Sequence, residues 1–132
     1  MSATSKTVPC IVVGTYTEFE GSQSEGIYVY RMDASSGQLT FDQVVKGIIN
    51  PSFLEIHPER HFIYAVNEVQ SYDGAAGGGV GAFSMENNNV RLLNSQLSQG
   101  SDPCYISIEQ TGRFGPRQAH YLSIGPGKRQ IT

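Results

Sequence analysis

The chain has 132 residues, a formal net charge of −3 and no tryptophan. That length suits one domain, the mild negative charge gives no reason to expect a nucleic-acid or membrane partner, and no apolar run approaches the roughly 20 residues of a membrane-spanning helix. With 15 glycines, 7 tyrosines and 6 phenylalanines, composition favours strands and tight turns over helices. Residues 1–7 are polar and lack the apolar core of a signal peptide, so a cytoplasmic location is expected. Cys10 and Cys104 have no zinc-ligand spacing and read as buried free thiols of a reducing compartment.

In chain order, Cys10-Ile11-Val12-Val13-Gly14-Thr15-Tyr16 is an apolar run of strand length, and residues 17–25 form a polar loop. Gly26-Ile27-Tyr28-Val29-Tyr30-Arg31-Met32 reads as a second strand. Asp33 to Gly37 is a hairpin connection, with the glycine placed for positive φ. Leu39-Thr40-Phe41-Asp42-Gln43-Val44 starts by alternating apolar and polar residues, as a half-exposed outer strand does. Phe53-Leu54-Glu55-Ile56-His57 is the next strand. Phe62-Ile63-Tyr64-Ala65-Val66-Asn67 is nearly continuously apolar, as a strand buried on both faces requires. Residues 69–78 form a glycine-rich loop, 79–85 a strand with two glycines that allow close approach, 86–89 a turn, and 90–97 an outer strand.

The segments repeat. Asn50-Pro51-Ser52-Phe53-Leu54-Glu55-Ile56 returns as Asp102-Pro103-Cys104-Tyr105-Ile106-Ser107-Ile108, with the prolines 52 positions apart. A period of about 40–50 residues built from short strands marks the blades of a propeller. The fold class expected is therefore all-β, a partial β-propeller of four-stranded antiparallel blades: about two blades plus the first strand of a third. With strands A to D running from hub to rim, the second unit is complete. The first unit begins at B, and the third reaches only A, near Phe114. Residues 1–114 are assigned to the propeller and residues 115–132 to an irregular or non-native tail. A chain with such unpaired edges is expected to be poorly stable alone.

Several of these segments carry a resemblance. Val13-Gly14-Thr15-Tyr16-Thr17, Ser24-Glu25-Gly26-Ile27-Tyr28, Gly37-Gln38-Leu39-Thr40, Asn50-Pro51-Ser52-Phe53-Leu54 and Ser101-Asp102-Pro103-Cys104-Tyr105-Ile106-Ser107 resemble the seven-bladed lactonase family. That family contains the propeller-type 6-phosphogluconolactonases and their carboxymuconate-cyclase relatives. The resemblance covers residues 10–114 and looks like the N-terminal part of a longer protein. It implies hydrolysis of 6-phosphogluconolactone to 6-phosphogluconate in the pentose phosphate route, with water as nucleophile and no cofactor. The family's proposed His, Arg and Glu catalytic groups belong to later blades and have no counterparts here, so no catalytic residue is assigned. The alternatives are a carboxymuconate lactone cycloisomerase and a non-catalytic propeller that binds proteins or small ligands, because one fold serves all three.

Strand alternation puts the B–C and D–A loops on one face. That face receives Tyr16, Glu18, Glu20, Lys46, Asn50, Asn67, Glu68, Asp73, Ser101 and Asp102. A small-molecule lactone is the expected partner, and Glu68, Tyr16 and Asn67 are the candidate substrate-binding residues. Glu68 sits at the hub-proximal end of the second B strand, and Tyr16 at the equivalent end of the first. Arg31, Arg60, Arg91 and Arg113 map near the opposite face, so a phosphate site cannot be assembled from this segment. His57 and His61 are turn residues, and the intervening Pro58 forbids a helix that would align them as metal ligands. Neither the run 74–81 nor Gly125-Pro126-Gly127-Lys128 has phosphate-loop spacing.

Overall fold

A computed structural model describes residues 8–57, 61–109, 120–124 and 128–131; from residue 109 onward only the backbone is described. Twelve strands and no helix are found among these residues. Strands β1 (Cys10–Val13), β2 (Gly26–Met32) and β3 (Leu39–Lys46) form an antiparallel sheet in that order. Four strands form the second sheet: β4 (Leu54–Ile56), β5 (Phe62–Asn67), β8 (Gly79–Glu86) and β9 (Asn89–Leu97), again in sequential antiparallel order. This is the expected complete blade, preceded by a three-stranded B–C–D unit. Between β5 and β8 lies a ribbon of β6 (Ser71–Tyr72) and β7 (Ala75–Ala76). From sequence, residues 69–78 are expected to form only a loop. Asp73 and Gly74 have φ of 52° and 78°, so an Asp-Gly turn with both centres left-handed nucleates the ribbon.

The third sheet comprises β10 (Ile106–Glu109), β11 (His120–Ile124) and β12 (Lys128–Ile131), with β11 in the middle. The expected irregularity of 115–132 therefore does not extend to 120–124 and 128–131. His120-Tyr121-Leu122-Ser123-Ile124 alternates weakly, but β10 offers it a free edge and the ladder forms. The remaining residues of that tail, with Pro58, Arg60 and Arg113, lie outside the described residues.

The repeat extends to local irregularities. A register shift falls between Val29 and Tyr30 on β2, and another between Ala82 and Phe83 on β8. Each lies at the same distance from the glycine that opens its strand, Gly26 or Gly79. The β8–β9 hairpin turns on Asn87 and Asn88, with φ of 52° and 63°, a two-residue connection whose twist matches the strands. The β2–β3 hairpin closes on Gly37, with φ of 76°. Its Asp33 carboxylate accepts from the Ser35 and Ser36 amides and the Ser35 hydroxyl, which holds that carboxyl below its ordinary pKa.

Packing follows from alternation along β5. Ile63 and Ala65 point into a cluster with Ile27, Val29, Ile48, Phe83 and Val90, between the first and second sheets. Tyr64 and Val66 point the other way, to Val80, Ala82 and Ile106, between the second and third. Both clusters are shielded from water, and Ile63, Ala65, Val66 and Phe83 have no exposed surface. A polar bridge joins the first two sheets nearer the rim. The Gln43 side-chain amide donates to Val90 O at 2.8 Å and accepts from Val90 N at 2.9 Å.

Candidate functional site

The chain leaves β1 at Val13 because Gly14 passes hard against the second unit: a Cβ on Gly14 would sit 2.1 Å from Pro51 O. Thr15 Oγ1 then donates to Gly26 O at 2.6 Å, and the loop turns Tyr16 over the end of the second sheet. Glu68 emerges directly after β5. The two residues occupy corresponding positions 52 apart, and they meet: Tyr16 Oη donates to Glu68 Oε2 at 2.8 Å. Ser52 Oγ, just ahead of β4, donates to the same oxygen at 2.5 Å. No hydrogen bond reaches Glu68 Oε1 from the described residues.

Asn50 fastens this arrangement from below. It is 8% exposed and adopts φ of 42°, a left-handed conformation that asparagine tolerates better than most residues. Its Oδ1 accepts from Glu18 N at 2.7 Å, and its Nδ2 donates to Glu68 O at 3.2 Å. Its backbone carbonyl accepts from Glu68 N at 3.1 Å. Its own amide donates to Thr17 Oγ1 at 2.9 Å, and Thr17 Oγ1 donates to Ile48 O at 3.1 Å. One side chain thus ties the B–C loop of the first unit, the connection to the second, and the start of the second B–C loop.

Of the three residues singled out from sequence, the structure brings Tyr16 and Glu68 together and separates Asn67. Asn67 is 2% exposed. Its Nδ2 donates to Ile49 O at 2.7 Å, while its Oδ1 is buried with no hydrogen-bond partner among the described residues. A Cβ at Gly79 would lie 2.9 Å from that oxygen and 2.8 Å from Tyr72 Cδ1. Gly79 therefore presents a Cα hydrogen where any other residue would collide, and its C–H group faces the orphaned oxygen. Last on β5, Asn67 turns its side chain inward to the linker at Ile49 instead of joining the Tyr16–Glu68 hydrogen bonds. The glycines of β8 are expected from sequence to permit approach between sheets. At Gly79 the approaching atoms belong to Asn67 and Tyr72.

Sequence reasoning passed over Ser52 as a functional group, though it stands in the repeated motif. It also passed over Asn50 as a fastener. The signal was Asn50 before a fixed proline, mirrored by Asp102, with φ of 48°, before Pro103. Cys104 occupies the position corresponding to Ser52. It is exposed and free, and Cys10 is partly buried and free. The expectation of two buried thiols is thus corrected for Cys104, which lies in the connection ahead of β10 instead of on the strand.

Tyr16 is about half exposed. Its hydroxyl is nonetheless held above the ordinary phenol pKa, first by the hydrogen bond to Glu68 and then by partial burial and the carboxylate's charge. At neutral pH it is a donor. The cluster presents, at the loop end, a carboxylate oriented by a phenolic and a serine O–H. Among the described residues no group of three His, Cys, Asp or Glu could hold a metal ion, and no helix is long and apolar enough to cross a membrane.

Radially stacked antiparallel sheets with the polar cluster at their loop end define a β-propeller segment with a candidate small-molecule site. Residues 10–123 match the family described as "Lactonase, 7-bladed beta-propeller", and the chain belongs to that family. It is 31% identical over 104 residues to a 6-phosphogluconolactonase of Bacillus subtilis, a match covering 77% of this chain and 28% of the relative. The same enzyme name is borne by a Formosa agariphila relative that is 32% identical over the same share. Among solved structures, a candidate 6-phosphogluconolactonase of Bacteroides fragilis superposes with a TM-score of 0.69 at 27% identity, covering 92% of this chain and 31% of that one. The periplasmic gluconolactonase of Pseudomonas aeruginosa superposes with a TM-score of 0.67 at 27% identity, covering 84% and 29%. The chain thus spans less than a third of the relatives it matches.

Proposed function

We propose that this chain is part of a lactone hydrolase of the 6-phosphogluconolactonase type. The reaction is opening of 6-phosphogluconolactone to 6-phosphogluconate, a step of the pentose phosphate route. The observation that carries the reading is the Tyr16–Glu68–Ser52 cluster, set at the loop end of a chain that belongs to the lactonase family. Lactone hydrolysis adds water to the carbonyl carbon, passes through a tetrahedral oxyanion, and breaks the bond to the ring oxygen, which takes up a proton. That sequence requires a base for the water and donors for the oxyanion. Glu68 and Tyr16 contact the substrate's hydroxyls, Ser52 orients Glu68, and Asn67 and Asn50 hold the loops that present them. The groups that activate water belong to other blades of the ring. The two free thiols suit a cytoplasmic enzyme. Because one related structure is periplasmic, cell fractionation is the direct check.

The experiment is turnover by a complete seven-bladed ring carrying these residues. Loss of 6-phosphogluconolactone should exceed spontaneous hydrolysis. Glu68→Gln should raise KM about tenfold with a smaller change in kcat, the pattern expected when a charged hydrogen-bond acceptor for substrate is lost. Turnover of carboxymuconate lactone without activity on the phosphosugar lactone would transfer the assignment to the cycloisomerase. Ligand binding with no turnover of either would leave a binding scaffold.

A further inference from the structure

The loop end that carries Tyr16 and Glu68 is one-sided in charge. Glu18, Glu20, Glu25, Glu68, Asp73 and Asp102 all lie in its loops. Lys46 is the cation among the described side chains there, and its ammonium stands 3.4 Å from Glu25. Arg31, near the far end of β2, and Arg91, near the start of β9, sit at the opposite end of the sheets. A phosphate dianion placed beside Glu68 would meet like charge with no described guanidinium or free ammonium to offset it. A hydroxyl would meet the reverse. Glu68 Oε2 is committed to Tyr16 and Ser52, no hydrogen bond from a described residue occupies Oε1, and both donors fix the direction in which the carboxylate points.

We propose that this sector of the funnel receives the neutral, hydroxylated edge of a cyclic polyol or lactone and turns a phosphate-bearing end away toward the rest of the ring. The inference rests on the lactonase reading for the class of ligand, but its test needs no turnover. Glu68 is the specificity-determining group. Ser52 is a positioning residue, and its hydroxyl together with that of Tyr16 keeps one of the Glu68 oxygens occupied.

The test compares two ligands that differ only in the phosphate: 1,5-anhydro-D-glucitol and its 6-phosphate, titrated into the isotope-labelled 132-residue chain and followed by NMR. The neutral polyol should shift the resonances of Tyr16, Ser52 and Glu68. The phosphate ester should bind about fivefold more weakly at low salt, the size expected of a dianion about 8 Å from a carboxylate in water. Raising the salt to about 0.3 M should shrink the difference below about twofold, because exposed charges are then screened. Glu68→Gln should shrink it similarly at low salt. The salt series on the unaltered chain stands even if that variant folds poorly. The proposal is overturned if the phosphate ester binds at low salt as well as the polyol or better, or if neither ligand shifts those three residues. Reversed selectivity with lactone turnover intact would reject this orientation alone, whereas retained selectivity without turnover in the complete ring would reject the hydrolase reading alone.

Discussion

Glu68 draws its importance from its neighbours more than from its own burial, since it is only half-buried and two donors converge on one of its oxygens. Tyr16 reports on that arrangement. Its pKa is raised in the folded chain, so the contact adds stability fully present below the ordinary phenol value, about 10. That stability is lost as pH rises through the higher folded value. Tyr16→Phe should remove one late-ionising phenol from an absorbance titration of the folded chain; a late phase unchanged by the substitution would refute the assignment. Gly14 makes a harder demand. With Pro51 O 2.1 Å from where a Cβ would sit, Gly14→Ala forces apart the first B–C loop and the second unit. It should cost about 1–3 kcal/mol, read from a denaturant midpoint, and should also displace Tyr16 from Glu68. Ser52 was present in the repeated motif, but no sequence pattern states that a serine before β4 will face a glutamate after β5. That requires the A and B strands to be adjacent and the loop to return over them.

Elements were legible wherever alternation and punctuation coincide. The run 62–67 reads as doubly buried, and β5 splits its side chains between two cores. The strands 26–32, 54–56 and 89–97 fall within a residue or two of their expected bounds. The first strand is shorter than its apolar run because Gly14 is needed for the approach to Pro51 and Thr15 bonds a carbonyl instead of continuing the ladder. The β6–β7 ribbon was missed although Asp73-Gly74 is a strong turn signal, because the flanking pairs are only two residues long. The tail strands were missed because their pairing is a property of β10's free edge, which local sequence does not display. Gln43 gives the clearest prediction at this scale. Its amide occupies both backbone groups of Val90, so Gln43→Ala leaves a donor and an acceptor of a 2% exposed residue unpaired. The cost should be about 1–3 kcal/mol, and faster exchange of the Val90 amide would confirm its origin; unchanged protection would remove Gln43 from that role.

At the scale of the molecule, the two clusters meet back to back on β5, and stability passes from sheet to sheet through that strand. Phe83 has no exposed surface in the cluster between the first two sheets. Phe83→Ala should therefore cost about 3–5 kcal/mol and loosen the Tyr16–Glu68 contact, which depends on how those sheets are seated. Repeat architectures distribute stability over neighbour interfaces in this way. A match covering 28% of a relative also bears on activity. The 132 residues alone should hydrolyse no lactone above the spontaneous rate, because the ring that would close the funnel is several blades larger. Measurable turnover by the isolated chain would place the water-activating groups within it, contrary to the division of labour proposed here.

The contact between Tyr16 and Glu68 joins two copies of one backbone position. A ring of similar blades has an approximate rotation axis, and a ligand lying on that axis could settle in as many orientations as there are blades. A phenol at one copy and a carboxylate at the next lift that rotational degeneracy. The scaffold stays nearly symmetric while its inner rim acquires a compass bearing, and under the proposed function a lopsided guest molecule has one azimuth in which its hydroxyls find the acceptor.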